Sequence, residues 1–325
     1  MKLRSIKNIF IVIALSSTMI LMSCSRFKVN YDNKRLISNL YQANNDTFAE
    51  GTAKKIVVPS LLEEYIVENV GADSYFIAST DRKKSSFTKY HNAYKKMPMA
   101  SLTKIMTALV VLENVKDLKT EYYVSSEDVE LEKDESRANL RTGDKLNVKD
   151  LLYGLLVPSG NDAAMCLSKN VFNNQDNFII AMNNEAERLG ALHTHFDNAV
   201  GLDSDYHFTT AYDMFLITRE IMKYPIFKEI TTTKEYTANI MQSDGIIRIE
   251  TWYNTNYFVT EELLMSTNVV LEGTKTGNTK NAGNCLVLVT KDKKKSDYYI
   301  SVVLNAKSKR NSYYNQNALL SAIPK

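Results

Sequence analysis

The spacing of apolar positions changes twice along the chain. Apolar residues recur with a period of two near both ends of the folded part, and with a helical period between them. The period of two, together with short continuous apolar runs, predicts strands over 72–80, 87–93, 246–255, 273–277, 285–290 and 298–304. The helical period predicts helices from Ser101 onward and over 148–157, 162–171, 176–189, 210–222 and 313–323. We therefore expect a mixed α/β (α+β) fold, with one sheet built from distant segments and a helical insertion as a second lobe.

The two C-terminal strands of that pattern are apolar on both faces, as in a sheet covered by helices on each side. Cys166 falls in a helical pattern and Cys285 in a strand pattern. Both cysteines are expected to be small core residues. A disulfide between them stays open, because an exported chain could form one.

The N-terminus resembles an export signal of the bacterial lipoprotein type. Basic residues precede an apolar run at 9–22, which is short for a membrane span of about 20 residues. The run ends in Leu21-Met-Ser-Cys24. We expect residues 1–23 to be removed, Cys24 to carry the lipid and residues 24–56 to form a polar tether on the extracytoplasmic face of the membrane. An ordinary cleaved signal peptide and an uncleaved anchor are the alternatives.

Composition narrows the function classes. The 325 residues are 44% hydrophobic and 24% charged, with a net charge of +3, which is typical of a globular protein with a sizeable core. No basic tract alternates with aromatic residues, so a nucleic-acid partner is not expected. His193 and His195 lack a cysteine or carboxylate at ligand spacing, and no glycine-rich phosphate loop is present. We expect neither a metal nor a cofactor.

The segment Pro98-Met-Ala-Ser-Leu-Thr-Lys104 opens the first predicted helix. A serine at a helix start is usually only a cap, and an S-x-x-K spacing arises by chance about once or twice in a chain of this length. Residues i and i+3 share one helix face, so burial of that face would place the two side chains together. Desolvation would then lower the pKa of the lysine and let its amine accept the serine proton. Ser101 is therefore a candidate nucleophile and Lys104 its candidate base.

Two further short motifs follow in order. Ser159-Gly-Asn161 links two predicted helices, where serine and asparagine are common caps. Lys275-Thr-Gly277 lies on a predicted strand, where a glycine often marks close approach of a ligand and a lysine can simply protect an edge. Each motif is weak on its own, whereas the ordered set is far more specific.

The set S-x-x-K, S-x-N and K-T-G resembles the penicillin-recognising serine acyltransferases, for which this trio is a known signature. The resemblance is closest to the low-molecular-weight D-alanyl-D-alanine carboxypeptidases and covers residues 57–310. Similar segments are 99–107, 150–164, 194–196, 201–203, 254–256, 272–277 and 282–286. The resemblance implies a domain over residues 57–325 with the β-lactamase/DD-peptidase fold, an antiparallel sheet flanked by helices with an inserted helical lobe.

The resemblance also implies a reaction. Ser101 would attack the bond between the two terminal D-alanines of a peptidoglycan stem peptide, with Lys104 accepting its proton. Ser159 would pass a proton to the departing D-alanine. β-Lactams would acylate Ser101 as covalent inhibitors.

The remaining motif residues are implied to bind the substrate. Asn161 would hold the substrate amide and orient the lysine base, and Lys275 would supply positive potential. Thr276 would bind the terminal carboxylate. Gly277 would admit the substrate backbone, and the N–H groups of Asn278 and of the nucleophile would form the oxyanion hole.

Other interpretations of the same residues stay open. A β-lactamase needs a base for fast deacylation, and no loop carrying such a glutamate is visible between Asn161 and Thr210. Transpeptidase or endopeptidase activity differs only in the acceptor or in the bond attacked. A non-catalytic penicillin-binding sensor would be acylated without turnover. Many family members carry a further C-terminal β domain and membrane helix; since this chain ends at Lys325, we expect the N-terminal lipid to replace them.

Overall fold

The computed structural model describes residues 64–81 and 87–324. The predicted signal peptide, Cys24 and the predicted tether lie outside the described residues. In chain order the elements are β1 (Ala72–Ser79), β2 (Thr88–His91), α1 (Thr103–Asn114), β3 (Glu121–Tyr123), β4 (Lys145–Asn147), α2 (Val148–Leu156), α3 (Asn161–Val171), α4 (Gln175–Arg188), α5 (Ala211–Ile221), α6 (Pro225–Thr231), β5 (Glu235–Met241), β6 (Ile247–Tyr253), β7 (Val269–Thr279), β8 (Gly283–Asp292), β9 (Tyr298–Ala306) and α7 (Lys309–Ser321). Short 3₁₀ helices cover Ala100–Leu102 and Glu127–Val129.

The main sheet joins the two ends of the described chain. Its strand order is β2-β1-β9-β8-β7, and every neighbouring pair is antiparallel. β1 pairs with β9 along its whole length, with Tyr75 opposite Val303. This confirms the expectation of an antiparallel sheet assembled from segments far apart in sequence.

Helices cover both faces of this sheet. Phe76 of β1 faces the helical lobe, where its ring packs edge-on against Phe215 of α5 at 4.9 Å between centroids. Its neighbour Ile77 points to the opposite face and joins a second apolar cluster that contains Leu319 and Leu320 of α7. Alternation along one strand thus supplies two cores, as the apolar character of both faces predicted.

The structure corrects two expectations and extends a third. The strand predicted over 246–255 is β6, and it belongs to a second sheet of order β3-β4-β5-β6 and not to the main sheet. Ser101 does not cap an α-helix, because it lies inside the 3₁₀ turn Ala100–Leu102 and α1 begins two residues later. The helix predicted over 210–222 does end before Pro225, but that proline also opens α6, where its missing N–H costs nothing.

Cys166 and Cys285 are both buried free thiols, so they are core residues and not a disulfide. Within the described residues, no helix combines the length and apolar character needed to span a membrane.

Candidate active site

A strained turn presents Ser101. The preceding Ala100 has a φ of +48°, a left-handed conformation that costs a residue with a Cβ about 1–2 kcal/mol. Its carbonyl accepts the Thr103 hydroxyl at 2.8 Å, and Thr103 Oγ1 lies 2.7 Å from His207 Nε2. Burial lowers the pKa of His207 to about 4, so the ring is neutral at pH 7 and donates from Nε2 to the threonine. A buried chain of hydrogen bonds therefore holds the turn that contains Ser101.

Two glycines let other segments approach this turn closely. Gly201 has a φ of +96°, and a Cβ built on it would lie 2.1 Å from the Ala100 carbonyl oxygen. Gly277 of β7 faces the turn from the sheet, where a Cβ would lie 3.1 Å from the backbone nitrogen of Ser101. The third sequence motif thus reaches the first through close backbone approach, whereas the sequence interpretation took the glycine to mark the approach of a ligand.

Lys104 is fully buried in the first turn of α1. Its Nζ lies 2.9 Å from Ser101 Oγ, 2.7 Å from Asn161 Oδ1 and 2.8 Å from the carbonyl oxygen of Val200. A carbonyl oxygen can only accept hydrogen bonds, so Asn161 and Val200 together take two hydrogens of the lysine. When the amine is neutral it has no third hydrogen, and its lone pair faces the serine hydroxyl.

Opposing electrostatic effects act on this amine. Burial lowers the pKa of Lys104 to about 7, although the charges of Asp162 and Glu135 act to raise it. The Asp162 carboxylate is itself buried and accepts backbone N–H groups from Ala138 at 2.8 Å and Leu140 at 3.0 Å. Near neutral pH both the ammonium and the amine forms of Lys104 are therefore populated.

A second lysine–serine pair completes the group. Lys275 of β7 is buried and donates from Nζ to Ser159 Oγ at 2.8 Å and to the carbonyl oxygen of Thr276 at 2.8 Å. Burial, with the positive charge of Lys104 as a second cause, lowers the pKa of Lys275 well below its usual value. Ser159 has a φ of +64°, so its position also carries backbone strain. The structure thus brings Ser101, Lys104, Ser159, Asn161 and Lys275 together.

The last two predicted binding residues are placed differently. Thr276 Oγ1 lies 2.7 Å from Thr255 Oγ1, a partner in the segment between β6 and β7. Asn278 turns its side chain to the β7–β8 hairpin, where Nδ2 donates to the Gly283 carbonyl at 3.0 Å and to Asn284 Oδ1 at 3.1 Å. Only its backbone N–H is left as a candidate oxyanion donor, which is the role the sequence suggested.

The two spaced histidines serve packing outside this group. His193 lies edge-on to Tyr94 at 5.6 Å between ring centroids, and His195 bridges to Phe208. In the part of the chain that the structure describes, no three His, Cys, Asp or Glu side chains gather as metal ligands would.

Sequence reasoning missed two groups around the central lysine, one in direct contact with it and one that acts through Asn161. The carbonyl of Val200 is a main-chain group, which no residue type reveals. Glu135 accepts Asn161 Nδ2 at 2.5 Å through Oε2. It lies in a loop rich in acidic residues, and nothing in the sequence distinguishes it from Glu132 or Asp134. Only the fold places it here.

A family model described as D-alanyl-D-alanine carboxypeptidase matches residues 65–308. The chain belongs to this family. A D-alanyl-D-alanine carboxypeptidase of Streptomyces sp. is 36% identical over 197 residues, covering 58% of this chain and 66% of that protein. The carboxypeptidase DacC of Escherichia coli is 34% identical over 247 residues, covering 71% of this chain and 56% of DacC. The chain therefore spans only part of the length of these curated relatives.

A solved structure shows the same architecture. The crystal structure of a Streptomyces DD-transpeptidase superimposes with a TM-score of 0.70 at 28% identity, covering 82% of this chain and 98% of that one. The fold expected from the motifs is confirmed. The family matches also confirm the resemblance on which the sequence interpretation rested.

Changing Gly201 to alanine should disturb the serine turn. The added Cβ would meet the Ala100 carbonyl, so we expect Gly201→Ala to lower the free energy of unfolding by about 1–3 kcal/mol more than a left-handed alanine alone. Gly245→Ala is the matched control, because Gly245 has a φ of +82° but no heavy atom within 4 Å of the position its Cβ would take. Urea unfolding of both variants measures the difference. Equal losses would show that the close approach at Gly201 has no energetic consequence.

Proposed function

We propose that this chain is a serine-type D-alanyl-D-alanine carboxypeptidase that removes the terminal D-alanine from peptidoglycan stem pentapeptides. One observation carries the proposal: the buried amine of Lys104 lies 2.9 Å from Ser101 Oγ while two carbonyl oxygens occupy its other hydrogens. That geometry favours proton transfer from serine to lysine. Membership of the carboxypeptidase family supports the choice of substrate.

In the proposed acylation step, Ser101 Oγ bonds to the carbonyl carbon between the two D-alanines, and its proton passes to Lys104. The carbonyl oxygen becomes negative and is stabilised by the backbone N–H groups of Ser101 and Asn278. The C–N bond then breaks: Ser159 gives its hydroxyl proton to the departing amine of D-alanine and receives in turn the proton that Lys104 took from Ser101, so that the lysine returns to its neutral form. Water later hydrolyses the ester and frees the serine.

In the same proposal, the terminal carboxylate of the substrate binds beside strand β7. Lys275 Nζ lies 2.8 Å from Ser159 Oγ, and the positive charge of Lys104 is the second cause, after burial, that lowers the pKa of Lys275. Thr276 would bind the terminal carboxylate, with its hydroxyl already positioned by Thr255 at 2.7 Å. Asn161 would bind a substrate amide, and Gly277 would admit the peptide backbone beside the strand.

Transpeptidation is the second candidate function. The matched solved structure is named a DD-transpeptidase, and the acyl-enzyme would be the same up to the point where an amine replaces water as acceptor. Endopeptidase action likewise shares the acyl-enzyme and differs in the bond cleaved. A non-catalytic sensor would stop at acylation.

Release of D-alanine tests the main proposal. We expect purified wild-type protein to liberate D-alanine from a stem pentapeptide, and Ser101→Ala to lose this activity by at least about a thousandfold because the nucleophile is gone. A coupled D-alanine assay measures total turnover, and mass analysis of the peptide product with and without an amine acceptor distinguishes hydrolysis from transfer. Release by Ser101→Ala at the wild-type rate, or none by the wild type, would contradict the proposal.

The lifetime of a penicillin adduct separates this function from β-lactamase. We expect a labelled penicillin to remain on Ser101 for many minutes, because no glutamate-bearing deacylation loop is recognisable in the sequence between Asn161 and Thr210. Intact mass spectrometry after a chase with unlabelled drug measures the loss of the adduct. Ser101→Ala serves as the unlabelled control. Rapid loss accompanied by hydrolysed drug would favour a β-lactamase.

We also propose export and anchoring. Residues 1–23 would be the signal, Cys24 the lipid-bearing N-terminus, 24–56 the tether and 57–325 the peptidase domain on the extracytoplasmic face. The order of a basic start, a short apolar run and Leu21-Met-Ser-Cys24 supports this. We expect membrane-extracted protein to lack residues 1–23 and to carry lipid mass on Cys24, whereas Cys24→Ala should be recovered without lipid. An intact Met1 or an unmodified Cys24 would contradict the proposal.

A further inference from the structure

We propose that Glu135 is a positioning residue for acylation, acting on Asn161 through a hydrogen bond and on Lys104 through its charge. The inference rests on the proposed function. Glu135 lies in the loop between the 3₁₀ helix Glu127–Val129 and β4, outside all three sequence motifs. It would not touch the reacting atoms itself.

The first step concerns the orientation of the Asn161 side chain. Its amide oxygen accepts Lys104 Nζ at 2.7 Å, and its amide nitrogen donates to Glu135 Oε2 at 2.5 Å. The two ends of an amide have nearly the same shape, so a rotation by half a turn would fit the same space. That rotation would place two N–H donors against the lysine and the amide oxygen against a carboxylate, which can only accept. Glu135 therefore holds the amide in the orientation in which its oxygen serves the base.

The second step concerns how Glu135 is itself held. Its other carboxylate oxygen accepts the backbone N–H of Glu132 at 3.1 Å, and its own N–H donates to the Glu132 carbonyl at 3.2 Å. The carbonyl of the next residue, Ser136, accepts the backbone N–H of Asn161 at 2.8 Å. The loop is thus joined to Asn161 through both the side chain and the main chain, and the carboxylate is placed by defined contacts.

The third step concerns charge at the base. Lys104 faces Asp162 from α3, Lys275 from β7 and Glu135 from the loop. The charges of Asp162 and Glu135 raise the pKa of Lys104, whereas burial lowers it to about 7. Loss of the Glu135 charge should lower that pKa further. The amine form would then persist to lower pH.

The two functions of Glu135 can be separated by substitution. Glu135→Gln keeps an oxygen that can accept Asn161 Nδ2 but removes the charge, whereas Glu135→Ala removes both. Asp134→Asn is the matched control, because Asp134 is exposed in the same loop and the change in net charge equals that of Glu135→Gln. All variants keep the full chain and the three motifs.

The experiment measures the rate constant for acylation by a fluorescent penicillin between about pH 5 and 9, a range that brackets the lysine's titration. In the wild type the rate should rise with pH through about 7, where Lys104 loses its proton. We expect Glu135→Gln to move this rise to lower pH, with a plateau within a few-fold of wild type. Glu135→Ala should show the same displacement and a plateau lower by about tenfold or more, because Asn161 Nδ2 then has no acceptor at this position. Asp134→Asn should match the wild type.

Several results would overturn the role of Glu135. If the wild type is labelled but neither Glu135 variant changes the pH of the rise or the plateau, the carboxylate does not act on the base. If Asp134→Asn displaces the rise as far as Glu135→Gln, the effect belongs to net charge and not to this position. Thermal unfolding of each variant identifies a rate lost through instability alone, which would leave the pH of the rise unchanged. A wild type that takes no label at any pH would overturn the proposed function itself.

Discussion

The site depends on the buried amine of Lys104, whose hydrogen-bond partners orient its lone pair towards Ser101 Oγ. Two of the groups that contact Lys104 Nζ, the amide oxygen of Asn161 and the carbonyl oxygen of Val200, can only accept hydrogen bonds. The third, Ser101 Oγ, can also donate. In the neutral lysine the two carbonyls bind the two hydrogens, so the lone pair is left for the serine proton. Burial makes the neutral form available near pH 7, and the carbonyl contacts give it an orientation.

Much of the fold can be understood as the means of bringing those carbonyls and that hydroxyl together. Asn161 stands at the first position of α3, and Gly201 lets its own segment, which includes Val200, approach the Ala100 carbonyl. The backbone strain at Ala100 and Ser159 is part of the same arrangement, since both residues hold left-handed conformations without being glycine. Such strain persists only where the surrounding structure fixes it, and here two packed cores and the main sheet do so.

The helices, strands and site residues that could be predicted are those that depend on the types of side chain and their spacing along the sequence. Helical periodicity predicted α2 and short apolar stretches predicted the strands β1, β8 and β9 closely, and the three motifs predicted which side chains meet. β5 was missed although its pattern is visible in the sequence: Tyr236, Ala238 and Ile240 alternate with exposed residues along the strand. The 3₁₀ turn at Ser101 escaped because it depends on contacts from distant segments. The Val200 carbonyl belongs to the backbone, and Glu135 is one acidic residue among many in its loop. The sequence therefore gives no indication that either group lies near Lys104.

The three motifs contain the lysine whose pKa is lowered by burial, but they do not contain the carboxylates that raise this pKa again. The motifs supply Ser101, Lys104 and the second amine, and any chain that buries them acquires a lysine with a lowered pKa. The carboxylates that raise it again come from elsewhere: Asp162 follows the second motif, and Glu135 comes from a loop with no motif. The Asp162 carboxylate lies in the first turn of α3 and accepts backbone N–H groups both from the loop that precedes β4 and from the helix itself. Glu135 binds no backbone N–H of the helix and contacts it through the side chain of Asn161. In the role proposed for it, Glu135 acts on Lys104 both through that side chain and through its charge.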